Sequence, residues 1–186
     1  MPYGELTPEM EEVLRPLVAG QVVWDLGAGS GEYAIKLLEL GASRVVAVEK
    51  EYDRWPYLPP EVEWRRMYFE KLDPAELKDA LVLLAWPPNQ PLWGLLGLLA
   101  NSERVIYLGS NTSGSACGPQ HMWDYLTFRT VEAHVPHHRN SLIVYGETSG
   151  RRPLLGEEVG ATCGMVVGFE DAQETAAMVQ EVARKS

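Results

Sequence analysis

Residues 22–32 read V-V-W-D-L-G-A-G-S-G-E and contain the glycines Gly27, Gly29 and Gly31. The apolar run that opens the stretch predicts a strand buried on both faces of a parallel sheet. Glycines allow a sharp turn and let a ligand approach closer than a Cβ would permit. The dinucleotide fingerprint G-x-G-x-x-G would need its third glycine at position 32, which is Glu32 here. The stretch therefore predicts a strand, a ligand-binding turn and a helix, with a spacing that disfavours NAD.

Strand-like and helix-like segments alternate on both sides of this turn. A helix is predicted over 8–19, where Thr7 can cap and Pro8 suits the first position. Further strands are predicted at 44–50, 62–69, 80–85, 104–109, 128–135 and 141–146, and further helices at 73–79, 91–100 and 171–185. Only P-H-H-R-N separates the last two strands, which is typical of a hairpin. The pattern predicts an α/β fold with a doubly wound, mostly parallel sheet and a C-terminal antiparallel hairpin.

An acidic residue, Glu49, closes the second predicted strand, and Asp25 lies two residues before Gly27. With these carboxylates in register, Val23 to Glu49 resembles the first motif of class I S-adenosylmethionine-dependent methyltransferases. The resemblance covers about residues 21–146 and implies a Rossmann-like, seven-stranded sheet, with Glu49 on the two ribose hydroxyls of the cofactor. The cofactor-binding residues that we expect from it are Asp25, Gly27, Ala28, Gly29, Glu49, Tyr68, Phe69 and Ala85.

The aromatic pair at the end of the third predicted strand departs from the family. Many members have an acidic residue there, in contact with the adenine amino group, whereas this chain has Tyr68 and Phe69. An aromatic ring could instead stack on adenine, which is worth about 1–3 kcal/mol by analogy with base stacking. Packing in the core is the alternative for either ring.

The fourth predicted strand runs into A-W-P-P-N-Q, at the edge where open α/β sheets bind their ligands. The segment is similar to the Asn/Asp-Pro-Pro-aromatic motif of amino-group methyltransferases, but Trp86 stands in the polar slot and Asn89 in the aromatic one. We expect Trp86, Pro87 and Asn89 on the acceptor side of the site. The alternative is that the two prolines only end the strand and stiffen the turn.

The resemblance implies in-line transfer of the sulfonium methyl group to an acceptor heteroatom. Positioning of the reactants can promote such a reaction without a dedicated base, and His121, Tyr33 and Asn89 are the candidates if a base acts. Two other functions stay open: a non-catalytic scaffold with this fold and a nucleotide-dependent oxidoreductase. The loop from Gly109 to Gly118 and the N-terminal segment around Tyr3 could gate the acceptor pocket.

A histidine cluster, His134, His137 and His138, lies in the predicted hairpin. Neighbouring residues of a strand face opposite sides, and no cysteine or aspartate accompanies the cluster in register. We therefore expect no metal site and prefer a solvated hairpin tip or a role in acceptor recognition.

Composition limits the remaining choices. The 186 residues favour one domain, with a core at 21–146 and a C-terminal extension at 147–186. Two cysteines 46 positions apart form no disulfide or zinc pattern, and the first residues do not resemble a signal peptide, so a cytoplasmic protein is expected. A net charge of −10 disfavours nucleic acid as the acceptor. No apolar run is long enough for a membrane span. Because of the acidic charge and the short chain, we expect a small-molecule or protein acceptor.

Overall fold

The structure, a computed structural model, describes residues 4, 6–51, 57–90, 92, 94–110, 117–137 and 140–148. Seven strands form one sheet within these residues: β1 Val22–Leu26, β2 Arg44–Glu49, β3 Val62–Arg66, β4 Leu81–Ala85, β5 Arg104–Gly109, β6 Arg129–Val135 and β7 Ser141–Thr148. Their order is β3-β2-β1-β4-β5-β7-β6. Strands β1 to β5 pair in parallel, and β7 lies antiparallel between β5 and β6. The predicted parallel sheet with its terminal hairpin is confirmed.

Helices cover both faces of the sheet. They are α1 Pro8–Val18, α2 Glu32–Glu39, α3 Leu95–Asn101 and α4 Gln120–Leu126, with two 3₁₀ turns at Phe69–Lys71 and Pro74–Leu77. One face packs against α1 and α2, and the other packs against the second 3₁₀ turn, α3 and α4. Side chains alternate between the two cores along each strand. In β1, Val23 faces α1 and α2, whereas Trp24 and Leu26 face the opposite side.

Local signals account for the ends of the first two helices. The hydroxyl of Thr7 accepts a hydrogen bond from Met10 N at 3.4 Å, which is the predicted cap of α1. Gly20 and Gly41 follow α1 and α2 with φ of +72° and +108°, a conformation that side chains disfavour. The start of α1 and the ends of α1 and α2 are thus determined by residues close to them in the sequence.

Three predicted boundaries were wrong. Strand β3 ends at Arg66, because the chain turns at Tyr68 and Phe69 packs against the core. The helix predicted at 73–79 is only the 3₁₀ turn Pro74–Leu77, which the side chain of Asp73 caps. The helix predicted from residue 91 begins at Leu95, because Gly94 precedes it in a left-handed conformation with φ +80°.

The sequence analysis missed one helix, and one of its predicted helices is not described by the structure. Helix α4, which leads into β6, was not predicted. The helix predicted at 171–185 and the extension from residue 149 onward lie outside the described residues. No helix in the described part of the chain combines the length and the apolar character needed to cross a bilayer.

Arg129 ties β6 to the end of α3. Its buried guanidinium donates hydrogen bonds of 2.7 to 3.0 Å to the carbonyl oxygens of Leu99, Ser102, Glu103 and Gly146. The last carbonyls of a helix have no partner within the helix, so a buried cation there satisfies groups that water cannot reach. Arg129 therefore anchors the antiparallel end of the sheet.

Candidate functional site

The glycine turn lies at the carboxyl edge of the sheet, between β1 and α2. Gly27, Gly29 and Gly31 have φ of +82°, +56° and +94°. The amides of Gly27 and Ala28 donate to the carbonyl of Val48 at 2.9 and 3.1 Å, which holds the turn beside the end of β2. All three glycines thus occupy conformations that L residues avoid, and the turn depends on them.

The side chain of Glu49 is hydrogen-bonded to the glycine turn. Its Oε2 accepts a hydrogen bond from the amide of Gly29 at 3.0 Å, and its Oε1 accepts one from the amide of Lys50 at 2.7 Å. The two features that carry the sequence resemblance therefore lie together. Two backbone amides, one of them in the glycine turn, hold the carboxylate in place.

Asp25 is the most unusual group of the site. Its side chain is 0% exposed, and neither carboxylate oxygen has a hydrogen-bond partner within the described residues. Burial, together with the negative charge of Glu49, raises the pKa of Asp25 from its ordinary 3.8 to about 7. A buried carboxylate without a partner is costly unless it takes up a proton or meets a cation. The site therefore holds an acid whose ionised form a positively charged ligand would stabilise.

Tyr33 connects α2 with the N-terminal segment. Its hydroxyl donates a hydrogen bond to the carbonyl of Gly4 at 2.7 Å. Burial, and after it the charge of Asp25, raises the pKa of Tyr33 above its usual range. A phenol that stays protonated does not act as a general base, so the structure argues against that role for Tyr33. Its position instead keeps the N-terminal segment over the same face of the sheet as α1 and α2.

Trp86 leaves β4 in a strained conformation with φ +51°. Its amide donates to the carbonyl of Leu108 at 2.7 Å, which ties it to β5, and Pro87 after it is buried. Strain of this kind persists where the surroundings enforce it and is often found at functional sites.

Trp86 forms one wall of a surface pocket of about 470 Å³. We call it the acceptor pocket after the role proposed for it below, and the described residues that line it are Gly4, Leu6, Thr7, Pro8, Trp86, His137 and Asn140. Asn140 was missed by the sequence analysis. Because β7 is antiparallel to β5, its first residues lie at the carboxyl edge of the parallel strands, and this placement is the signal that could have indicated Asn140.

Asn89 connects two loops. Its Oδ1 accepts a hydrogen bond from the amide of Gly118 at 2.9 Å. The bond ties the loop after β4 to a residue two positions before α4.

The remaining cofactor candidates fall into different environments. Tyr68 is 49% exposed, and the ammonium of Lys50 lies 5.6 Å from the centre of its ring. Phe69 packs against the core and reaches to 4.0 Å from the place of a Cβ on Gly27. Ala85 is the last residue of β4 and packs on the face of α1 and α2. Of the two rings, that of Tyr68 is therefore accessible to a ligand. The ring of Phe69 packs between the core and Gly27 of the glycine turn.

The three described histidines lie in different parts of the fold. His121 belongs to α4, on the face opposite Asp25, and burial lowers its pKa. His134 is exposed on β6, His137 lines the acceptor pocket, and His138 lies outside the described residues. No cluster of three His, Cys, Asp or Glu side chains within the described ranges is arranged to hold a metal ion. Tyr3 and residues 111–116, the predicted gating segments, also lie outside those ranges.

Comparison with solved structures shows which architecture this is. A protein from Pyrococcus horikoshii assigned as an RNA methyltransferase is 16% identical, covers 75% of this chain and 83% of its own, and superposes with a TM-score of 0.55. The Burkholderia thailandensis 1,6-didemethyltoxoflavin-N1-methyltransferase, solved with S-adenosylhomocysteine, is 19% identical over 76% and 78% of the two chains, with a TM-score of 0.56. The chain has the class I methyltransferase fold.

A third structure supports this assignment of the fold. It is a Streptococcus pneumoniae protein assigned as a tRNA (m1A22) methyltransferase, in complex with S-adenosyl-L-methionine. It is 15% identical over 95% of this chain and 86% of its own, with a TM-score of 0.52. No protein-family model and no curated protein matches the sequence. The methyltransferase fold inferred from the glycine turn is thus confirmed by structure rather than by sequence likeness.

Proposed function

We propose that this protein binds S-adenosylmethionine at the glycine turn and transfers its methyl group to an acceptor at the end of β4. The observation that carries the proposal is the buried, unpartnered carboxylate of Asp25 beside Gly29 and Glu49. S-adenosylmethionine bears an ammonium and a sulfonium, so it would bring positive charge close to the neighbouring acids Asp25 and Glu49. The residues present fit this cofactor.

The same charges disfavour the alternative dinucleotide. NAD would bring its pyrophosphate to the glycine turn, where Asp25 is buried and Glu49 occupies the amide of Gly29. Like charges in a cleft of low dielectric repel strongly. A ribose has no such penalty, and its two hydroxyls can donate to Glu49 in charge-assisted hydrogen bonds worth about 1.5–3 kcal/mol each.

The protein's own residues would act mainly by positioning. Bound beside the glycine turn, S-adenosylmethionine would supply an electrophilic methyl carbon: the lone pair of the acceptor heteroatom would form the bond to that carbon, the electron pair of the broken C–S bond would stay on sulfur, and a proton displaced from the acceptor would pass to water. Trp86, whose backbone amide donates a hydrogen bond to the carbonyl of Leu108, would form the acceptor side. Alignment of the reactants can contribute about 7–11 kcal/mol without a catalytic base.

Titration calorimetry with S-adenosylmethionine, S-adenosylhomocysteine and NAD tests the proposal. We expect both sulfur nucleosides to bind and NAD to bind far more weakly or not at all. Glu49→Ala should raise the dissociation constant of S-adenosylhomocysteine at least tenfold, because about 1.4 kcal/mol already corresponds to a factor of ten and two charged hydrogen bonds are lost.

Glu51→Ala is the matched control, because Glu51 is an exposed carboxylate two residues further on, paired with Lys50. It should bind as tightly as the wild type. Equal binding by a folded Glu49→Ala variant would refute the ribose contact. Tight binding of NAD alone would replace the methyltransferase proposal with the oxidoreductase one.

The acceptor is a separate proposal. The net charge of −10 disfavours nucleic acid, and we favour a small molecule or a protein, acted on in the cytoplasm because the two cysteines form no disulfide pattern. The solved neighbours act on different acceptors, so they do not select one. A non-catalytic scaffold is the alternative function, and it would bind the cofactor without methylating any acceptor.

A further inference from the structure

We propose that the segment ahead of α1 is a strap across the mouth of the site, fastened by the hydroxyl of Tyr33, and that it opens whenever the cofactor or its demethylated product passes. The N-terminal strap, as we call it, consists of the described residues Gly4, Leu6 and Thr7. This proposal rests on the proposed function, since the ligand that passes the strap is the cofactor of that reaction. It is carried by where the strap lies and by how it is held.

The strap crosses the crevice in which open α/β sheets bind their ligands. From β1 the chain runs to β2 and β3 on one side and then to β4 and β5 on the other, so its direction reverses between the neighbouring strands β1 and β4. Ligands bind at such a point, outside the carboxyl ends of the strands. Tyr33 lies in the first turn of the helix after β1, and Trp86 follows β4. Because Gly4 lies against both residues, the strap spans this crevice from one side to the other.

Gly4 is fitted closely between the two sides. Its carbonyl accepts a hydrogen bond from the hydroxyl of Tyr33 at 2.7 Å. A Cβ on Gly4 would lie 3.0 Å from Cζ2 of Trp86 and 3.0 Å from Cγ of Asn140, and its φ of +99° is one that L residues avoid. Any other residue at position 4 would therefore push the strap off its seat. All three strap residues line the acceptor pocket, so the closed strap is one wall of that pocket.

The strap is attached to a helix that stays in place. Three apolar side chains anchor α1 in the core and are at most 1% exposed, namely Met10, Leu14 and Val18. Thr7 caps this helix, so Gly4 and Leu6 ahead of it can turn away without breaking α1. Leu6 is half-buried and packs on the core beneath α1 and α2, which gives the strap a defined closed position.

The hydrogen bond from Tyr33 is the latch of the strap. One ordinary hydrogen bond biases an equilibrium between open and closed forms about fivefold, so its loss should raise the open fraction by about that factor. A strap in this position would keep water from the methyl group while it is closed, and it would limit the rate at which S-adenosylhomocysteine is released. Tyr33 would thus act as a positioning residue, through the segment that it holds.

Surface plasmon resonance on the immobilised full chain, with S-adenosylhomocysteine as the probe, tests the proposal. It gives the association rate constant, the dissociation rate constant and the Kd. Tyr33→Phe keeps the ring and removes the latch, whereas Gly4→Ala leaves Tyr33 intact and displaces the strap by its Cβ. Each variant should raise both rate constants about fivefold or more and leave the Kd within about twofold of the wild type, because opening speeds entry and exit alike.

Two control variants repeat these substitutions away from the strap. Tyr145→Phe alters a buried tyrosine of β7 on the opposite face of the sheet. Gly20→Ala introduces an alanine at a similar backbone conformation, φ +72°, where no atom of the described residues lies within 4 Å of the place of a Cβ. Both controls should keep the two rate constants within about twofold of the wild type.

Unchanged rate constants in either folded strap variant would overturn the proposal, and Gly4→Ala decides the matter if Tyr33→Phe does not fold. Faster dissociation with unchanged association and a weaker Kd would also overturn it, because the segment would then be a wall that holds the ligand. In both cases the wild type still binds S-adenosylhomocysteine, and the proposed function stands. If the wild type does not bind S-adenosylhomocysteine, the proposed function fails, and the strap proposal fails with it.

Discussion

Replacing the buried carboxylate, Asp25→Asn, should make the free protein more stable at neutral pH while it weakens cofactor binding. Asp25 is fully buried, and its pKa is raised from 3.8 to about 7. Between these two values the folded protein holds a proton that the unfolded chain has lost. The free energy of unfolding of the wild type therefore falls as the pH rises through this window.

The change in unfolding free energy follows from the difference between the pKa of Asp25 in the unfolded and in the folded protein. One pKa unit corresponds to about 1.4 kcal/mol, so the wild type loses about 4 kcal/mol between about pH 4 and about pH 7 through this one group. An asparagine does not titrate. The difference in unfolding free energy between Asp25→Asn and the wild type should therefore grow by about 4 kcal/mol in favour of the variant from about pH 4 to about pH 8.

Urea denaturation at several pH values, followed by tryptophan fluorescence, measures this difference. Asp73→Asn is the control, because Asp73 is an exposed cap whose side chain accepts from Ala75 N, and asparagine caps equally well. Its stability should stay within about 0.5 kcal/mol of the wild type at every pH. Parallel curves for Asp25→Asn and the wild type would refute the reasoning, since they would mean that Asp25 is ionised and satisfied in the free protein.

Cofactor binding should show the opposite sign. A bound ammonium favours the ionised carboxylate, so below about pH 7 the binding of S-adenosylhomocysteine to the wild type should release a proton. Calorimetry in buffers of different ionisation enthalpy detects that proton. We expect the release to vanish, and the affinity to drop, in Asp25→Asn. Proton release that persists in the variant would assign the titration to another group.

Two further predictions concern the fold. Arg129→Met should lower the unfolding free energy by at least about 3 kcal/mol, because it leaves buried carbonyls without a donor. Arg104→Met is the control, since Arg104 is partly exposed and pairs with surface carboxylates, and it should cost less than about 1 kcal/mol. Similar losses for the two variants in urea titrations would contradict this prediction. Tyr107→Phe removes a donor that lies 2.6 Å from Ser110 O and 3.0 Å from Cys117 O. It should cost about 1–3 kcal/mol and speed hydrogen exchange at the Cys117 amide, and unchanged exchange would mean that the hydroxyl does not hold these residues.

The sheet was predictable because its strands are short apolar runs that end in turn residues. Strand β5 has the predicted bounds, and β1 and β2 differ from theirs only by terminal residues. Their parallel order brings every carboxyl end to one edge, which is why Glu49 could be expected beside the glycine turn. Helix α4 has few signals of its own: Pro119 caps it without a side-chain hydrogen bond, and it exists because Met122, Tyr125 and Leu126 are buried against the sheet.

The site was predictable only in part. Asp25 was expected from its spacing, but spacing does not show that its carboxylate would be buried and unpartnered. For Asn89, the spacing does not show that its side-chain oxygen accepts a hydrogen bond from the amide of Gly118. Which partner a side chain finds depends on a distant segment, and the pattern around the residue itself does not contain that segment.

The sequence by itself determined the alternation of strands and helices, the left-handed glycine turn and the carboxylate at the end of β2, because each depends on residues close together in the chain. Only the tertiary structure decided the charge state of Asp25 and the shape of the acceptor pocket. Burial removes water from Asp25, and the pocket needs Gly4, Trp86 and Asn140 from three distant parts of the chain. Desolvation and long-range contacts arise only when the whole sheet is assembled, so no local pattern records them.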